Sequence, residues 1–107
     1  MRKYDQEHRP LSYLRLRKQK KQLKAEVRLL KEKPCTDCGH SYPYWVMQFD
    51  HVRGEKRGDV GYWVSHGKRN AAFREIAKCE LVCANCHATR SHRRILEKYA
   101  TKAEEAN

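Results

Sequence analysis

Cys35-Thr36-Asp37-Cys38 and Cys83-Ala84-Asn85-Cys86-His87 decide how this chain folds, and Asp50-His51 lies between them at the end of an apolar run. Two thiolates separated by two residues can grip one tetrahedral ion through a tight turn, and a second such pair closes the shell. Soft sulfur ligands in a tetrahedral set favour Zn2+ over calcium or magnesium. The spacing therefore predicts one structural zinc held by Cys35, Cys38, Cys83 and Cys86. A disulfide framework is the competing reading, but the CxxC spacing is compact and no secretory signal is legible. Two such pairs without a βαβ pattern also argue against a redox site. The fifth cysteine, Cys79, is expected to pack in the core, where a free thiol behaves as a small hydrophobe.

At 107 residues, with 39% apolar and 35% charged content, the chain reads as one small domain with extensions. Domains of this size often need a metal or disulfides to hold their fold. The expected class is a small α+β zinc-braced domain over residues 34–95. A basic amphipathic helical arm, residues 1–33, precedes it, and a helix end with a polar tail, residues 96–107, follows. No stretch reads as a membrane span, and a reducing cytoplasm is the expected compartment.

The formal charge of +11 is unevenly spread: residues 1–33 hold 12 Lys+Arg and 4 Asp+Glu, a balance of +8, and the remainder carries +3. A segment this basic suits a polyanion, because each neutralised phosphate releases counterions. The bland alternative is a solvated helix face, which usually mixes its signs more evenly. Nucleic acid is the expected partner.

Pro10 marks the start of a helix, with Ser12 as N-cap and nothing to break it from Tyr13 to Lys33. Leu16, Leu23, Val27 and Leu30 form one stripe; Arg15, Lys18, Lys21, Lys24 and Arg28 fall beside or opposite it. Pro34 ends the helix and opens the first knuckle. Tyr42 to Phe49 reads as a strand leading to Asp50-His51. Residues 52–68 read as a glycine-punctuated loop with a short strand near Tyr62-Trp63-Val64. Asn70 to Lys78 has helical spacing, Glu80-Leu81-Val82 is a brief strand, and a helix runs from Asn85 or Cys86 to about Ala103. Tyr44, Trp45, Phe49 and Trp63 are expected around the core. His8, His40 and His66 read as polar surface residues.

Phe49-Asp50-His51 and Leu81-Val82-Cys83-Ala84-Asn85-Cys86-His87, with a helix running on, resemble the HNH endonuclease family over about Cys35 to Arg94. The resemblance implies a ββα-metal finger, formed by a β-hairpin and a helix and braced by the two CxxC pairs. It implies His51 as general base, with Asp50 and His87 holding a catalytic divalent ion such as Mg2+ or Mn2+. The substrate would be DNA, cut to leave a 5′ phosphate and a 3′ hydroxyl. Small stand-alone members are frequent in bacteriophage and bacterial genomes, which would suggest partners in DNA packaging or mobile elements. One position departs from the pattern. The family's middle asparagine usually lies a few residues ahead of the second knuckle, where this chain has Ala77-Lys78-Cys79-Glu80; Asn70 and Asn85 are the nearby candidates, and Asn85 could instead cap the helix.

The chemistry asks for these residue types. A neutral imidazole can take a proton from water near neutral pH, and a hard ion held with open positions can stabilise a departing oxygen. Adjacent strand residues point to opposite sides, so Asp50 and His51 should face different directions. Arg90 and Arg94, three and seven residues after His87, share its helix face and suit a phosphate clamp. His92 is about 140° away around the helix and should not share the ion. The rival from another class is a zinc-knuckle module that grips nucleic acid without cutting it.

Overall fold

Pro10 starts the first helix at once in the computed structural model, which describes residues 10–106. Its φ is −59° and its carbonyl accepts the Leu14 N–H at 3.2 Å, so α1 runs Leu11–Leu30 and Ser12 lies inside the first turn rather than capping it. The ring of proline presets a helical φ at no further entropic cost. The helix also stops sooner than the sequence suggests: residues 31–33 leave it ahead of Pro34, whose ring disfavours helical geometry in the residue before it. The first residues of the expected arm, 1–9 with His8, lie outside the described residues.

Only the middle of the apolar stripe docks. Leu23 is 2% exposed and packs with Val27, Val60, Val64 and Ala72, whereas Leu16 is 41% exposed and Leu30 is half-buried. α1 is thus a wall of the core, because it supplies two of the five buried residues in this cluster.

The strand expected over Tyr42–Phe49 comes later and shorter, as β1, Met47–His51. Pro43 lacks an N–H, and its carbonyl takes the Val46 N–H at 2.9 Å in a tight turn, so pairing begins only beyond it. Tyr62-Trp63-Val64, expected as a short strand, is instead helical, inside α2, Val60–Ser65. Val60 and Val64, four residues apart, both reach the core against Leu23 and Val27, and this packing overrides the strand preference of a branched and aromatic run. Gly67, at φ +67°, turns the chain out of α2 where a Cβ would come within 3.0 Å of the Lys20 side chain.

α3, Arg69–Ile76, falls close to the expected helix, and β2, Cys79–Cys83, includes the expected strand. β2 pairs antiparallel with β1 in the register Met47↔Cys83, Phe49↔Leu81, Asp50↔Glu80 and His51↔Cys79. α4, Ala84–Ala106, follows β2 without a break. The result is a small α+β fold with a two-stranded antiparallel sheet between helices. Cys35, Met47, Val82 and Cys83 make a second, smaller core at the other end of the hairpin. Among the described residues, no helix is long and apolar enough to cross a membrane.

Burial assigns unequal weights to the stripe. Leu23→Ala should cost about 2–5 kcal/mol through lost burial and the cavity left behind, while Leu16→Ala should cost less than about 1 kcal/mol. Denaturant unfolding of the metal-loaded protein measures both; equal costs would contradict the docking of α1.

Candidate metal centre and adjoining cleft

The first knuckle is shaped by backbone hydrogen bonds that turn Cys35 and Cys38 toward the sheet. Cys35 N–H donates to the His40 carbonyl and Gly39 N–H to the Cys35 carbonyl, both at 2.9 Å, with Gly39 at φ +75°. Thr36 ties the turn to β2, its N–H and its hydroxyl both donating to the Leu81 carbonyl, at 2.9 and 2.7 Å. The second knuckle spans the junction of β2 and α4. The sulfurs of Cys35, Cys38, Cys83 and Cys86 lie within 4.8 Å of one another. A tetrahedral zinc with Zn–S of about 2.3 Å needs sulfurs about 3.8 Å apart, which this cluster can meet by small adjustments.

Backbone amides prepare the sulfurs for negative charge. Cys83 N–H points at Cys35 Sγ at 3.3 Å, and Cys86 N–H at Cys83 Sγ at 3.5 Å. Burial pushes the Cys35 thiol up, but the amides of Cys38, Cys83 and Asp37 outweigh it and bring it down to about 6. Cys86 is pushed up to about 12 by its sulfur contact with Cys83 and by burial. Sulfurs this close oppose one another's ionisation, a conflict that a divalent cation would remove. The cluster could hold a metal ion such as zinc. Cys79 stays outside it, as expected: it packs on the α1–α3 core and donates its S–H to the Glu75 carbonyl at 3.1 Å.

Asp50 and His51 leave β1 in opposite directions. Asp50, 4% exposed, faces α4, where Arg94 donates to both of its oxygens at 2.9 and 2.8 Å and Arg90 Nη1 donates to Oδ2 at 2.9 Å. Arg94, opposed by burial and aided by Arg90, holds the Asp50 carboxyl down to about 2. Arg90 also forks onto both oxygens of Asp37 at 2.7 and 2.6 Å and reaches Glu80 at 3.1 Å. The spacing along the helix suggests phosphate clamps, but the forks of both arginines are occupied by carboxylates.

His87, one residue past Cys86, comes to Asp50 as well, with Nε2 at 3.5 Å from Oδ1. Its Nδ1 faces the Gln48 amide oxygen at 2.5 Å, so Nδ1 carries a proton and the neutral ring keeps its lone pair on Nε2. Two lone pairs facing each other call for a proton or a cation between them. The donor count leaves room for one. A carboxylate offers about four acceptor positions, and the arginines use three, leaving one on Oδ1. A divalent ion fits Asp50 and His87 in that restricted sense, against the repulsion of two guanidiniums.

His51 turns to α3, where its Nε2 lies 3.2 Å from Glu75 Oε1. Glu75 is 2% exposed and accepts from Lys78 Nζ at 2.7 Å and the Arg57 N–H at 3.0 Å. The Lys78 ammonium, opposed by burial and helped by the Arg57 amide, brings Glu75 down to about 2.

The opposite sides of the strand meet at one opening. A cleft of about 750 Å³ is lined by Asp50, His51, His87 and Arg94 on one wall and by Lys24, Arg28 and Lys31 of α1 on the other. Lys56 and Tyr44 also line it, with the Arg28 guanidinium 4.6 Å from the Tyr44 ring centroid. Lys18 and Lys21 of the proposed basic face are exposed and lie outside this lining. So do Asn70 and Asn85. Asn85 sits in the first turn of α4, one residue inside the helix start, and so does not cap it. His40, His66 and His92 are exposed and likewise outside the lining. Phe49 and Trp63 pack on the first core as expected, but Trp45 is 71% exposed because the Pro43 turn carries it off the sheet. Sequence reasoning missed Gln48, Glu75, Lys31 and Lys56. Only Gln48, two residues before Asp50 on the same strand face, left a usable signal.

No protein-family model, curated protein or solved structure matches the chain.

Elemental analysis of the purified protein should find one zinc per chain. Cys83→Ser should lose it and unfold the hairpin end, because structural zinc binding of about 10 kcal/mol or more is folding free energy. Cys79→Ser should keep it. Metal-free protein that remains folded would contradict the assignment.

Proposed function

We propose that this chain is a metal-dependent DNA endonuclease of the HNH type, in which β1, β2 and the start of α4 act as a ββα-metal finger. The observation that carries the reading is the meeting of Asp50, His51 and His87 at one cleft whose opposite wall is cationic. Lys24, Arg28 and Lys31 would take the backbone phosphates flanking the scissile bond. His51 accepts the proton of the attacking water as the new P–O bond forms, and the bond to the 3′ oxygen breaks on the far side of phosphorus. The products are a 5′ phosphate and a 3′ hydroxyl. Asp50 Oδ1 and His87 Nε2 are the atoms that would hold a divalent ion, which when bound supplies electrostatic stabilisation of the departing oxygen. Zinc in the cysteine cluster has a structural part only.

The pairing of Asp50 with Arg90 and Arg94 favours a second reading, a zinc-knuckle module that binds nucleic acid without cutting it. In that case Asp50 is a structural anchor, and the cleft is a phosphate-binding groove.

Supercoiled plasmid incubated with Mg2+ or Mn2+ separates the two. The wild type should nick or linearise it. His51→Ala should slow cleavage by about 10²–10⁴-fold with zinc content and DNA affinity unchanged. His87→Ala should also stop cleavage, and raised Mn2+ should partly restore it. A wild type that binds DNA but is inert with every divalent ion would establish the binding module.

The basic wall has its own readout. Replacing Lys24 and Arg28 by alanine should flatten the dependence of log affinity on log salt by about 0.9 for each phosphate that is no longer neutralised. The same change at Lys18 and Lys21 should do less. Equal effects would place the nucleic acid outside the cleft.

A further inference from the structure

Glu75 is a charged group that the catalytic assignment leaves unused, and its setting is unusual. It sits on α3, is 2% exposed, and directs Oε1 at His51 Nε2, 3.2 Å away. Buried carboxylates are costly unless paired and hydrogen-bonded. Here the Lys78 ammonium at 2.7 Å supplies the charge and the Arg57 N–H at 3.0 Å adds a fixed donor to the same Oε1 that meets the imidazole. The Lys78 ammonium in turn donates to the Glu55 carbonyl at 2.7 Å, which fastens the carboxylate's partner to the chain that follows His51.

An ionised carboxylate accepts hydrogen bonds and donates none, so the ring nitrogen facing it must carry a proton. Nε2 of His51 is therefore the donor, and a neutral ring has its lone pair on Nδ1. His87 is set the opposite way by Gln48, with the proton on Nδ1 and the lone pair on Nε2. Two neighbouring imidazoles are thus held as different tautomers by different partners, and both line the cleft.

We infer that Glu75 is the positioning residue for His51, holding the imidazole by its Nε2–H so that Nδ1 is presented as the proton acceptor. The inference rests on the nuclease reading. Glu75 touches neither substrate nor metal; it acts through His51. A carboxylate behind a histidine fixes ring orientation and tautomer and stabilises the imidazolium formed when the base takes its proton.

Imidazole tautomers can be read directly by long-range proton–nitrogen NMR of the zinc-loaded protein at about pH 8.5, where free histidine is neutral. Wild-type His51 should be the Nε2–H tautomer and His87 the Nδ1–H tautomer. Glu75→Gln preserves the size of the side chain but gives it an amide that cannot satisfy the Arg57 N–H, Lys78 and His51 together. His51 should then populate both tautomers. Plasmid cleavage should fall about 10–100-fold, in kcat with KM unchanged. In a His51→Ala background the same substitution should add no further loss, because the two residues act as one unit.

Three results would overturn the inference: a wild-type His51 held as the Nδ1–H tautomer, a folded Glu75→Gln protein that cleaves at the wild-type rate, or an equal loss from Glu75→Gln with and without His51. Should Glu75→Gln fail to fold, the wild-type tautomer still decides whether the carboxylate holds the ring. A wild type inert toward DNA overturns the nuclease reading instead, while the same spectrum reports separately on the Glu75–His51 pair.

Discussion

Four sulfur atoms gathered within 4.8 Å form the joint on which the rest of the molecule hangs. The hairpin end they join has little else to hold it, since its core consists of Met47 and Val82 beside two of the cysteines themselves. With so little apolar area, burial cannot offset the entropy of ordering a knuckle, a two-stranded hairpin and a helix start. Charge on the sulfurs makes the cluster worse without a metal, because neighbouring thiolates repel. A bound cation would turn that repulsion into attraction across the junction of β2 and α4.

Position then propagates along α4. His87 follows Cys86 directly, so the helix start that completes the cysteine cluster also aims an imidazole at Asp50. One turn further, Arg90 bridges Asp37, inside the first knuckle, to Asp50 and Glu80 on the sheet. That fork crosses the boundary between the metal centre and the cleft. It is partly buried and charge-assisted at every contact, which is where ion pairs hold geometry best. If the cysteines hold a metal, its loss should therefore disorder Asp50 through Arg90 as well as through the backbone.

Local chemistry made much of this legible in advance. The CxxC spacing marked the four clustered cysteines, and the absence of Gly and Pro after Cys86 marked α4. Asp50 and His51 on opposite sides of a strand follow from its two-residue period. The failures share a cause, which is that tertiary contacts decided them. Tyr62-Trp63-Val64 has strand composition, yet Val60 and Val64 are needed on one helix face by α1. The apolar stripe of α1 was legible, but which of its residues dock was not: Leu23 and Val27 are buried by partners more than 30 residues away, and Leu16 is left exposed. Glu75 gave no signal at all: a lone acidic residue on an amphipathic helix is ordinarily solvated, and only the fold shows it buried behind His51.

The balance of charge around Asp50 bears on how the two functional readings relate. Two guanidiniums already neutralise Asp50, and Arg90 is shared further with Asp37 and Glu80, so the positive charge of the cleft comes chiefly from Lys24, Arg28 and Lys31 opposite. On the proposed nuclease reading such a site would attract phosphate first and a divalent cation second. An arriving phosphate would change that order: it would offer Arg94, whose side chain is half exposed, a second anion and so free acceptor capacity on Asp50. Phosphate oxygens, Asp50 Oδ1 and His87 Nε2 would then together supply the donors that the protein alone lacks. On the proposed nuclease reading nucleic acid and the ion would therefore bind cooperatively, and the arginine-paired carboxylate would be the unloaded form of the same site.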